Sequence, residues 1–424
     1  MNKNFLALGL AAALLAPQVA GAEGFAINEW SAEGVAMGGA RMFAEDDAAN
    51  VAYNPASITK VKGEVMKSSY TYLSPHGNYK LYDSNNDEIK GEPTHNKVHA
   101  GWAVGSYYVR QINDKEWFGI GAFPRFAMVS EFERESNAST NAFFSKLNGV
   151  SVTPTYAHKF DKKWSAAVGA EINYVGLELQ KNLVIPTAGV NGTTQIEGES
   201  YALGWNAAAN YAFDDKNEIG VVYRSRIKHS LEADLKGYGT KSPASPLVGS
   251  NDVFGNAYGV VTLPDSWDIG YNHKFDKKTR LELKATRTNW STYDALNVYF
   301  DKSLVGIPGI AESSPSAKNW SNGWRYAIGL EHNFSDKYAA MAGFAFDESS
   351  IPHDGGDFMV PTGLRRTYSI GARYNDKKQT VAVALGWMDV GTLDFAGHAT
   401  DAYKSAHAYD SFTKIASISY QRKF

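Results

Sequence analysis

The sequence predicts an all-β protein, namely a transmembrane antiparallel β-barrel of about fourteen strands with an N-terminal hatch that plugs its lumen. Long segments of alternating polarity predict the strands. Short polar turns that recur along the chain predict how the strands are joined, and a leading segment without the alternation predicts the hatch. The expected division is a signal peptide at residues 1–22, the hatch at residues 23–62 and the barrel at residues 63–424.

Strands of membrane length are predicted where polarity alternates from one residue to the next. From Trp164 to Tyr174 the even positions are apolar and the odd positions are small or polar. Strands of soluble sandwiches average about five or six residues, whereas a tilted membrane strand needs about nine to eleven. One face of such a strand can meet lipid while the other lines a polar lumen. The alternation recurs at Trp267–Asn272, Trp324–Glu331 and Val381–Trp387.

Six short charged turns separate the strands into pairs. Most follow an aromatic residue such as Phe160, Phe213 or Phe275, as expected where a barrel hairpin ends at the membrane interface. If both chain ends lie on the side of these turns, seven strand pairs are required, hence about fourteen strands. The turns are Asn113–Lys115, Asp161–Lys163, Asp214–Lys216, Asp276–Lys278, Ser335–Lys337 and Asn375–Lys377.

Both chain ends carry features of an exported protein. Lys3 precedes the apolar run Phe5–Leu15, and the small residues up to Ala22 suit a cleavage site. A membrane anchor is the rival interpretation, but this run is about half of the roughly 20 residues that a spanning helix needs. We therefore expect the mature chain to begin near Glu23. The terminal Phe424 is typical of chains that the outer-membrane assembly machinery recognises.

Composition excludes several other classes of protein. With 42 basic and 45 acidic residues the net charge is -3, which leaves no electrostatic footprint for nucleic acid. The chain has no cysteine, so disulfides and thiolate metal sites are excluded. The mean hydropathy of -0.34 suits both a soluble protein and a barrel whose strands alternate in polarity. The period of the strands therefore decides in favour of the barrel.

The segment that precedes the first strand has too many small residues for a membrane strand. Gly38, Gly39 and the run Ala48–Ala52 lie within it. A disordered tail is one interpretation of this composition. Apolar side chains such as Ile27 and Trp30 favour instead a folded hatch, because they gain by burial in the lumen.

Two stretches of this segment resemble a known family. Gly24–Ser31 and Asp46–Ala56 are similar in order and spacing to the hatch of the FadL family, outer-membrane transporters for long-chain fatty acids and other hydrophobic compounds. The resemblance implies a barrel of about fourteen strands with a hatch, in agreement with the count from the turns. The hatch residues that it implies are Phe25, Asn28, Glu29, Trp30 and the motif Asn54, Pro55, Ala56.

The resemblance continues along the mature chain, with one departure. It includes Leu263–Trp267 and Gly343–Pro352. After Pro361 the family usually has acidic residues, whereas Thr362–Leu364 stand here before Arg365. Any contact that those acids make is therefore in doubt for this chain.

The family also implies a route for the ligand, from capture between outer loops to a lumenal pocket beside the hatch and then to lateral exit through a kinked third strand. The candidate third strand, Trp117–Met128, contains Pro124, which has no backbone N–H and would remove a ladder bond. Gly119 and Gly121 weaken the strand further. The alternative is that Pro124 simply ends the strand early.

Parity along the strands predicts five basic side chains inside the lumen. A fatty-acid carboxylate would bind an arginine, because the planar guanidinium forms charge-assisted hydrogen bonds. Lumenal carboxylates such as Glu171 and Asp347 are the competing partners of the same side chains. The candidate head-group contacts are Arg224, Arg226, Lys284, Arg325 and Arg365.

Apolar residues of the predicted outer loops are candidates for a groove that captures the ligand, and loop-to-loop packing explains them equally well. Asp354–Asp357 could hold a cation, although its residue types suit a solvated turn better. The candidate groove residues are Leu183, Val184, Ile185, Leu247, Val248 and Phe254.

The predicted function is transport of hydrophobic molecules, with long-chain fatty acids as the family default and aromatic hydrocarbons or other apolar compounds as the alternative. Apolar burial separates such ligands by only about 1 to 3 kcal/mol per methylene-sized difference. A barrel enzyme is a remoter alternative, because the sequence shows neither a catalytic set nor cofactor or metal-ligand spacing. A surface adhesin would not need a hatch. We expect a monomer in the bacterial outer membrane, surrounded by lipid and lipopolysaccharide.

Overall fold

The computed structural model describes residues 24–90, 94–98, 100–185, 190–238, 253–293, 295–301, 313–398 and 401–424. The predicted signal peptide lies outside the described residues. Within the part of the chain that is described, none of the helices is both long and apolar enough to cross a membrane.

Fourteen antiparallel strands form one closed barrel, and those called β7 to β10 are each interrupted once. The strands are β1 Glu64–Tyr82, β2 Gly101–Gln111, β3 Glu116–Glu131, β4 Phe144–Lys159, β5 Trp164–Ile185, β6 Val190–Ala212, β7 Asn217–Arg224 with Ile227–Tyr238, β8 Val253–Leu263 with Ser266–Lys274, β9 Thr279–Thr288 with Ala295–Phe300, β10 Ser313–Ala317 with Gly323–Asn333, β11 Tyr338–Asp347, β12 Arg365–Asn375, β13 Gln379–Val390 and β14 Ser405–Lys423. Two short segments, Thr94–His95 and Leu393–Ala396, add to β1 and β14.

The barrel closes because the last strand pairs with the first. The β1–β14 ladder runs from Val65 opposite Lys423 to Tyr82 opposite Ser405. All neighbouring strands are antiparallel, as hairpin connections require. The predicted fold class and strand number are confirmed.

Side chains on the outer surface form an apolar skin. Val168, Leu203 and Leu385 are 60%, 77% and 61% exposed, although each lies within a long strand. The alternate positions hold polar residues such as Asn173 and Glu282, which are buried inside. This distribution is stable in lipid and unfavourable in water.

The six predicted turns join strands at one end of the barrel. This is the end at which β1 begins and β14 finishes. In one of the turns the carboxylate of Asp161 accepts hydrogen bonds from the backbone N–H groups of Lys163 and Trp164 at 2.7 and 2.8 Å. Asp276 and Asp376 repeat this arrangement. Donation from backbone N–H groups lowers the pKa of all three carboxyls, because it stabilises the ionised form.

A one-residue change of register in β7 reverses which side chains face inward. Asn206 lies opposite Arg224, but farther along the same ladder Glu199 lies opposite Glu232, one residue out of step. Arg226 follows the shift, so its side chain is 61% exposed and contacts Asp265 at 3.2 Å. The predicted inward placement of Arg226 is wrong, because parity holds only while the register is unbroken.

The hatch precedes β1 and is folded inside the lumen. It contains two short helices, α1 Ala32–Ala36 and α2 Asn50–Tyr53, followed by a 3-10 helix at Pro55–Lys60. Ser31 caps α1 by accepting the N–H of Gly34 at 3.1 Å, which explains why the chain turns into a helix there. Almost every residue of this segment is buried.

Candidate functional site

The barrel wall is incomplete between β2 and β3. These strands pair only from Gln111 opposite Trp117 to Ser106 opposite Ala122. Beyond Ala122, β3 continues with β4 alone and β2 continues with β1 alone. One edge of each strand is therefore left without its neighbouring strand in the half of the wall away from the short turns.

Pro124 stands where this gap begins. The register between β3 and β4 shifts after Pro124, so Arg125 is an extra, bulged residue between Pro124 and Phe126. The strand nevertheless runs on to Glu131. The alternative prediction that Pro124 ends the strand early is wrong. The kink at Pro124 instead separates the half of β3 that pairs with β2 from the half that does not.

Gly119 and Gly121 lie in the paired half of the strand, opposite Val109 and Tyr107. A Cβ atom built on Gly119 would lie 2.8 Å from Cγ2 of Val51, and one built on Gly121 would lie 3.0 Å from Cγ1 of the same residue. Both glycines therefore make room for a hatch side chain. The sequence predicted that these glycines weaken the strand, but the ladder between β2 and β3 is continuous at both positions.

The first residues of the hatch take the place of the missing strand. The N–H of Ile27 donates to the carbonyl of Arg125, and the N–H of Ala127 donates to the carbonyl of Phe25, both at 2.9 Å. The Trp30 indole N–H donates to the carbonyl of Pro124 at 2.6 Å. Buried backbone N–H and C=O groups without a partner are unfavourable, so these contacts stabilise the edge of β3.

The side chain of Phe25 is buried in a group of four aromatic rings. Its ring centroid lies 4.7 Å from Trp290, 5.3 Å from Tyr293, 5.8 Å from Trp320 and 6.0 Å from Phe126. These five residues are each less than 8% exposed. The N-terminal end of the hatch is thus anchored beside the gap by aromatic contacts.

Three of the five predicted head-group residues hold carbonyl groups of the hatch. Arg224 donates to Ala52 and is paired with Asp268, while Arg325 donates to Gly38 at 3.0 Å and is paired with Asp347 at 2.6 Å. Arg365 donates to Gly24 at 3.0 Å and to the hydroxyl of Thr362 at 2.8 Å. Lys284 lies 3.2 Å from Asp268. Each of these four side chains therefore contacts the hatch, a lumenal carboxylate or both.

Arg125 is a lumenal cation that the sequence analysis missed. It is buried and lies 2.9 Å from Glu171. It also donates to the carbonyls of Ser225 and Pro264, both at 3.2 Å. Parity cannot place a bulged residue, and only the neighbouring Pro124 hints at the irregularity.

Ion pairs fill the lumen between the hatch and the short-turn end. Arg41 lies 3.0 Å from Asp47 and 3.1 Å from Glu331. Lys67 lies 2.8 Å from Glu33 and 2.9 Å from Asp47. Arg280 and Arg373 complete the group through Glu331 and Glu282. Four cations thus face four carboxylates, and a charged vestibule of about 870 Å³ opens below them.

Two small cavities lie on the opposite side of the hatch from this vestibule. One of about 60 Å³ is lined by Met128, Met359, Met388 and Arg365, among others. A second of about 30 Å³ borders Ala26 and Trp30 of the hatch and is also lined by the charged side chains of Arg125, Arg224, Asp268 and Arg325. Methionine side chains adapt readily to ligands of different shape. The first cavity therefore offers the more apolar surroundings of the two.

The remaining predicted residues are distributed as follows. In the hatch, Asn54 donates to Asn210 at 2.7 Å and accepts the N–H of Ala56, while Pro55 begins the 3-10 helix. The N–H of Asn28 donates to Glu29 at 3.0 Å. Asp357 is paired with the buried Lys318, and among the described residues no group of acidic or histidine side chains could hold a metal ion.

The described residues of the predicted outer groove lie in two strands. Leu183, Val184 and Ile185 belong to β5 rather than to a loop, and Val184 is exposed. Phe254 belongs to β8. Leu247 and Val248 lie outside the described residues.

The sequence is similar to a known family of proteins and to several of its members. A family model described as "Outer membrane protein transport protein (OMPP1/FadL/TodX)" matches residues 13–424. The long-chain fatty acid transport protein of Escherichia coli K12 is 23% identical over 421 residues, covering 90% of this chain and 91% of that protein. Outer membrane protein P1 of Haemophilus influenzae is 23% identical over 423 residues, covering 88% and 86%.

Solved structures share the fold. A Pseudomonas aeruginosa FadL homologue superimposes with a TM-score of 0.82 at 17% identity, covering 95% of this chain and 100% of that one. The Pseudomonas putida toluene transporter TodX superimposes with a TM-score of 0.71 at 16% identity, covering 95% and 100%. The similarity includes the region before β1 as well as the barrel.

Proposed function

The chain belongs to the OMPP1/FadL/TodX family of outer membrane transport proteins, and from that premise we propose that it takes up hydrophobic molecules and releases them sideways through the gap between β2 and β3. The observation that carries this proposal is that the hatch segment Phe25–Trp30, and not β2, supplies the hydrogen bonds to the edge of β3 beside Pro124 among the described residues. Withdrawal of that segment would open a window from the lumen to the membrane.

The distribution of charge supports lateral release. An apolar ligand that continued straight down would have to pass the ion pairs around Arg41 and Glu331, and displacing one partner from such a buried pair costs about 3–5 kcal/mol. The sideways route meets Met128, Phe126 and the lipid instead. Burial in an apolar setting favours each methylene of the ligand by about 0.8 kcal/mol.

We propose long-chain fatty acids as the leading ligand class and aromatic hydrocarbons as the second. The names of the Escherichia coli relatives support the first, and the toluene transporters among the structural neighbours support the second. Capture would take place among the outer loops, followed by passage through the methionine-lined cavity to the end of the hatch at Gly24. The protein would act by binding and release rather than by catalysis.

The surroundings of the barrel are part of the same proposal. The first strand pairs with the last, and the hatch covers the edge of β3 at the gap, which supports a monomer in a lipid and lipopolysaccharide bilayer. The exposed Phe424 would be recognised by the assembly machinery after export directed by residues 1–22.

Uptake by cells tests the function. Cells that express the protein should accumulate labelled palmitate or labelled toluene faster than cells that lack it. Resistance of the extracted protein to detergent unfolding would establish that the barrel has assembled. If neither compound accumulates faster in cells with an assembled barrel, the proposal is wrong.

A further inference from the structure

The change of register in β7 turns two basic side chains towards the membrane. Arg224 is buried in the lumen beside Asp268, so unbroken alternation would send Arg226 and Lys228 inward as well. Instead Ile227 is buried, whereas Arg226 and Lys228 are exposed. A shift of this kind re-aims the side chains that follow it. The two cations therefore lie on the outer surface of the barrel.

Arg226 lies at the height where the outer leaflet meets water. Lys216 ends the short turn before β7, so the strand takes ten residue steps from position 216 to position 226. At about 3.3 Å per residue and a tilt of roughly 40°, these steps rise about 25 Å, which is the height of the apolar band around a bacterial barrel. The short turns of such barrels face the periplasm. Arg226 therefore faces the head groups of the outer leaflet.

A third cation and a row of interfacial rings complete this surface. Trp205, Tyr223 and Trp267 form the row, with successive ring centroids 5.0 and 4.7 Å apart. Arg287 lies opposite Trp267 in the next strand, and its guanidinium carbon lies 5.2 Å from the ring centroid of Trp324. Rows of such rings mark the boundary between lipid tails and head groups. The cations at this boundary, called the basic patch below, are Arg226, Lys228 and Arg287.

The three cations of the basic patch share a single carboxylate. The side chain of Arg226 is 61% exposed and lies 3.2 Å from Asp265. Within the part of the chain that the structure describes, neither Lys228 nor Arg287 forms an ion pair. The basic patch therefore offers two positive charges to an anion from outside the protein.

The surroundings of the basic patch suit an amphiphile. Towards the short turns the outer wall is apolar, and Trp267 and Ile269 are 45% and 52% exposed. Away from the short turns the same face is acidic, since Glu199 lies opposite Glu232 and both are exposed. The attraction for an anion is therefore concentrated at the height of the interface, and an apolar tail attached to that anion finds apolar wall directly below it.

We propose that the basic patch binds the phosphate groups of the phosphorylated glycolipid of the outer leaflet, namely lipopolysaccharide. The planar guanidinium of an arginine matches a phosphate with two parallel hydrogen bonds, and a lysine adds a compact charge. The acyl chains of the same molecule lie against the apolar wall, a contact that free phosphate cannot make. This partner stays on the outer surface of β7 to β9, so the proposal goes beyond the transport function proposed above.

Titration of the purified full chain in detergent with bisphosphorylated lipid A tests the basic patch, with bound lipid counted by native mass spectrometry. Each cation beside an anionic lipid contributes roughly 5-fold, so the triple variant Arg226→Gln, Lys228→Gln, Arg287→Gln should bind about 100-fold more weakly. The matched control, Lys80→Gln, Arg366→Gln, Lys414→Gln, removes the same charge elsewhere on the outer surface, where two of the three cations have carboxylate partners. The control should bind as tightly as the unaltered protein. Equal losses in the two triple variants would overturn the proposal.

Removal of the phosphates from the lipid gives a second readout on the unaltered protein, which decides the matter if the triple variant does not assemble. Dephosphorylated lipid A should bind at least about 10-fold more weakly than the bisphosphorylated form. Equal binding of the two forms would contradict a role for phosphate. Binding of phosphatidylglycerol as tight as that of lipid A would show a general attraction for anionic lipid and would equally overturn the glycolipid site. None of these outcomes bears on uptake of palmitate or toluene, so failure here leaves the transport proposal standing.

Discussion

A disulfide between the hatch and β3 would test whether withdrawal of the hatch segment opens the wall. Ala26 lies directly opposite Phe126, between the two hydrogen bonds that join Ile27 to Arg125 and Ala127 to Phe25. In an antiparallel ladder such a pair is the closely spaced one, with Cα atoms about 4.5 Å apart. That spacing lies within the range that disulfides tolerate. The chain has no cysteine of its own, so the double variant Ala26→Cys, Phe126→Cys has one possible bridge.

The strength of the natural closure follows from the same contacts. Two backbone hydrogen bonds contribute about 1 kcal/mol each, and burial of the Phe25 side chain contributes about 2 kcal/mol. A total of about 4 kcal/mol corresponds to one open molecule in roughly 10³. A ligand can reverse such a ratio through its own binding energy, whereas a covalent bridge cannot be reversed in this way. Uptake should therefore fall to the background level when the bridge is formed.

The assay compares uptake by the same cells before and after reduction. Uptake of the ligand should be lost in the oxidised double variant and restored by a membrane-permeable reductant. Thr71→Cys, Ser417→Cys is the matched control, because the hydroxyls of these residues lie 2.7 Å apart across the β1–β14 ladder, where no opening is proposed. Its uptake should not change on oxidation. Complete bridging between residues 26 and 126 with undiminished uptake would refute the lateral route.

Three further expectations follow from the site and the turns. Pro124→Thr restores an N–H on the edge of β3, so uptake should slow while ligand affinity stays the same, and unchanged uptake would remove Pro124 from the mechanism. Glu331→Gln leaves buried cations short of a partner and should lower the free energy of unfolding by about 3–5 kcal/mol. Glu45, which is exposed and pairs with Lys274 at 3.0 Å, serves as the control, since Glu45→Gln should cost less than about 1 kcal/mol, and equal losses would contradict the argument. Because the folded pKa of Asp276 is lowered, its contribution to stability is present above the ordinary pKa of the carboxyl and disappears as the pH falls through the folded value. The melting temperature of Asp276→Asn should therefore decline less between pH 5 and pH 2 than that of the natural protein, and parallel curves would argue against the turn hydrogen bonds.

The strand number followed from the sequence because each strand and each turn is a local pattern. Trp164–Tyr174 shows its two faces within one strand, and Asp161 forms its turn with the next three residues. Neither feature depends on distant parts of the chain. The hatch was recognisable for a related reason, since its glycines and alanines are incompatible with a membrane strand.

The candidate site was less predictable because it is made of departures from regularity. A single extra residue at Arg125 and a single step of register near Arg226 change which face a side chain occupies, and neither leaves a signal in the alternation itself. The gap in the wall is a relation between β2 and β3 that neither strand reveals alone. The group of aromatic rings around Phe25 is assembled from Phe126, Trp290, Tyr293 and Trp320, which come from three different parts of the sequence.

The two ends of the hatch are held by different kinds of interaction, and this difference determines which end can move. Glu33, Arg41 and Asp47 are tied to Lys67 and Glu331 of the wall by ion pairs at 2.8 to 3.1 Å, and separating those charges in a confined lumen is costly. Phe25–Trp30 is held by a few hydrogen bonds and by aromatic contacts that an apolar ligand can replace in kind. The cap of α1 at Ser31 lies at the boundary between the two. We therefore expect a hydrophobic ligand to act on the segment that covers the gap in the wall, while the charged remainder of the hatch continues to close the barrel towards the short turns.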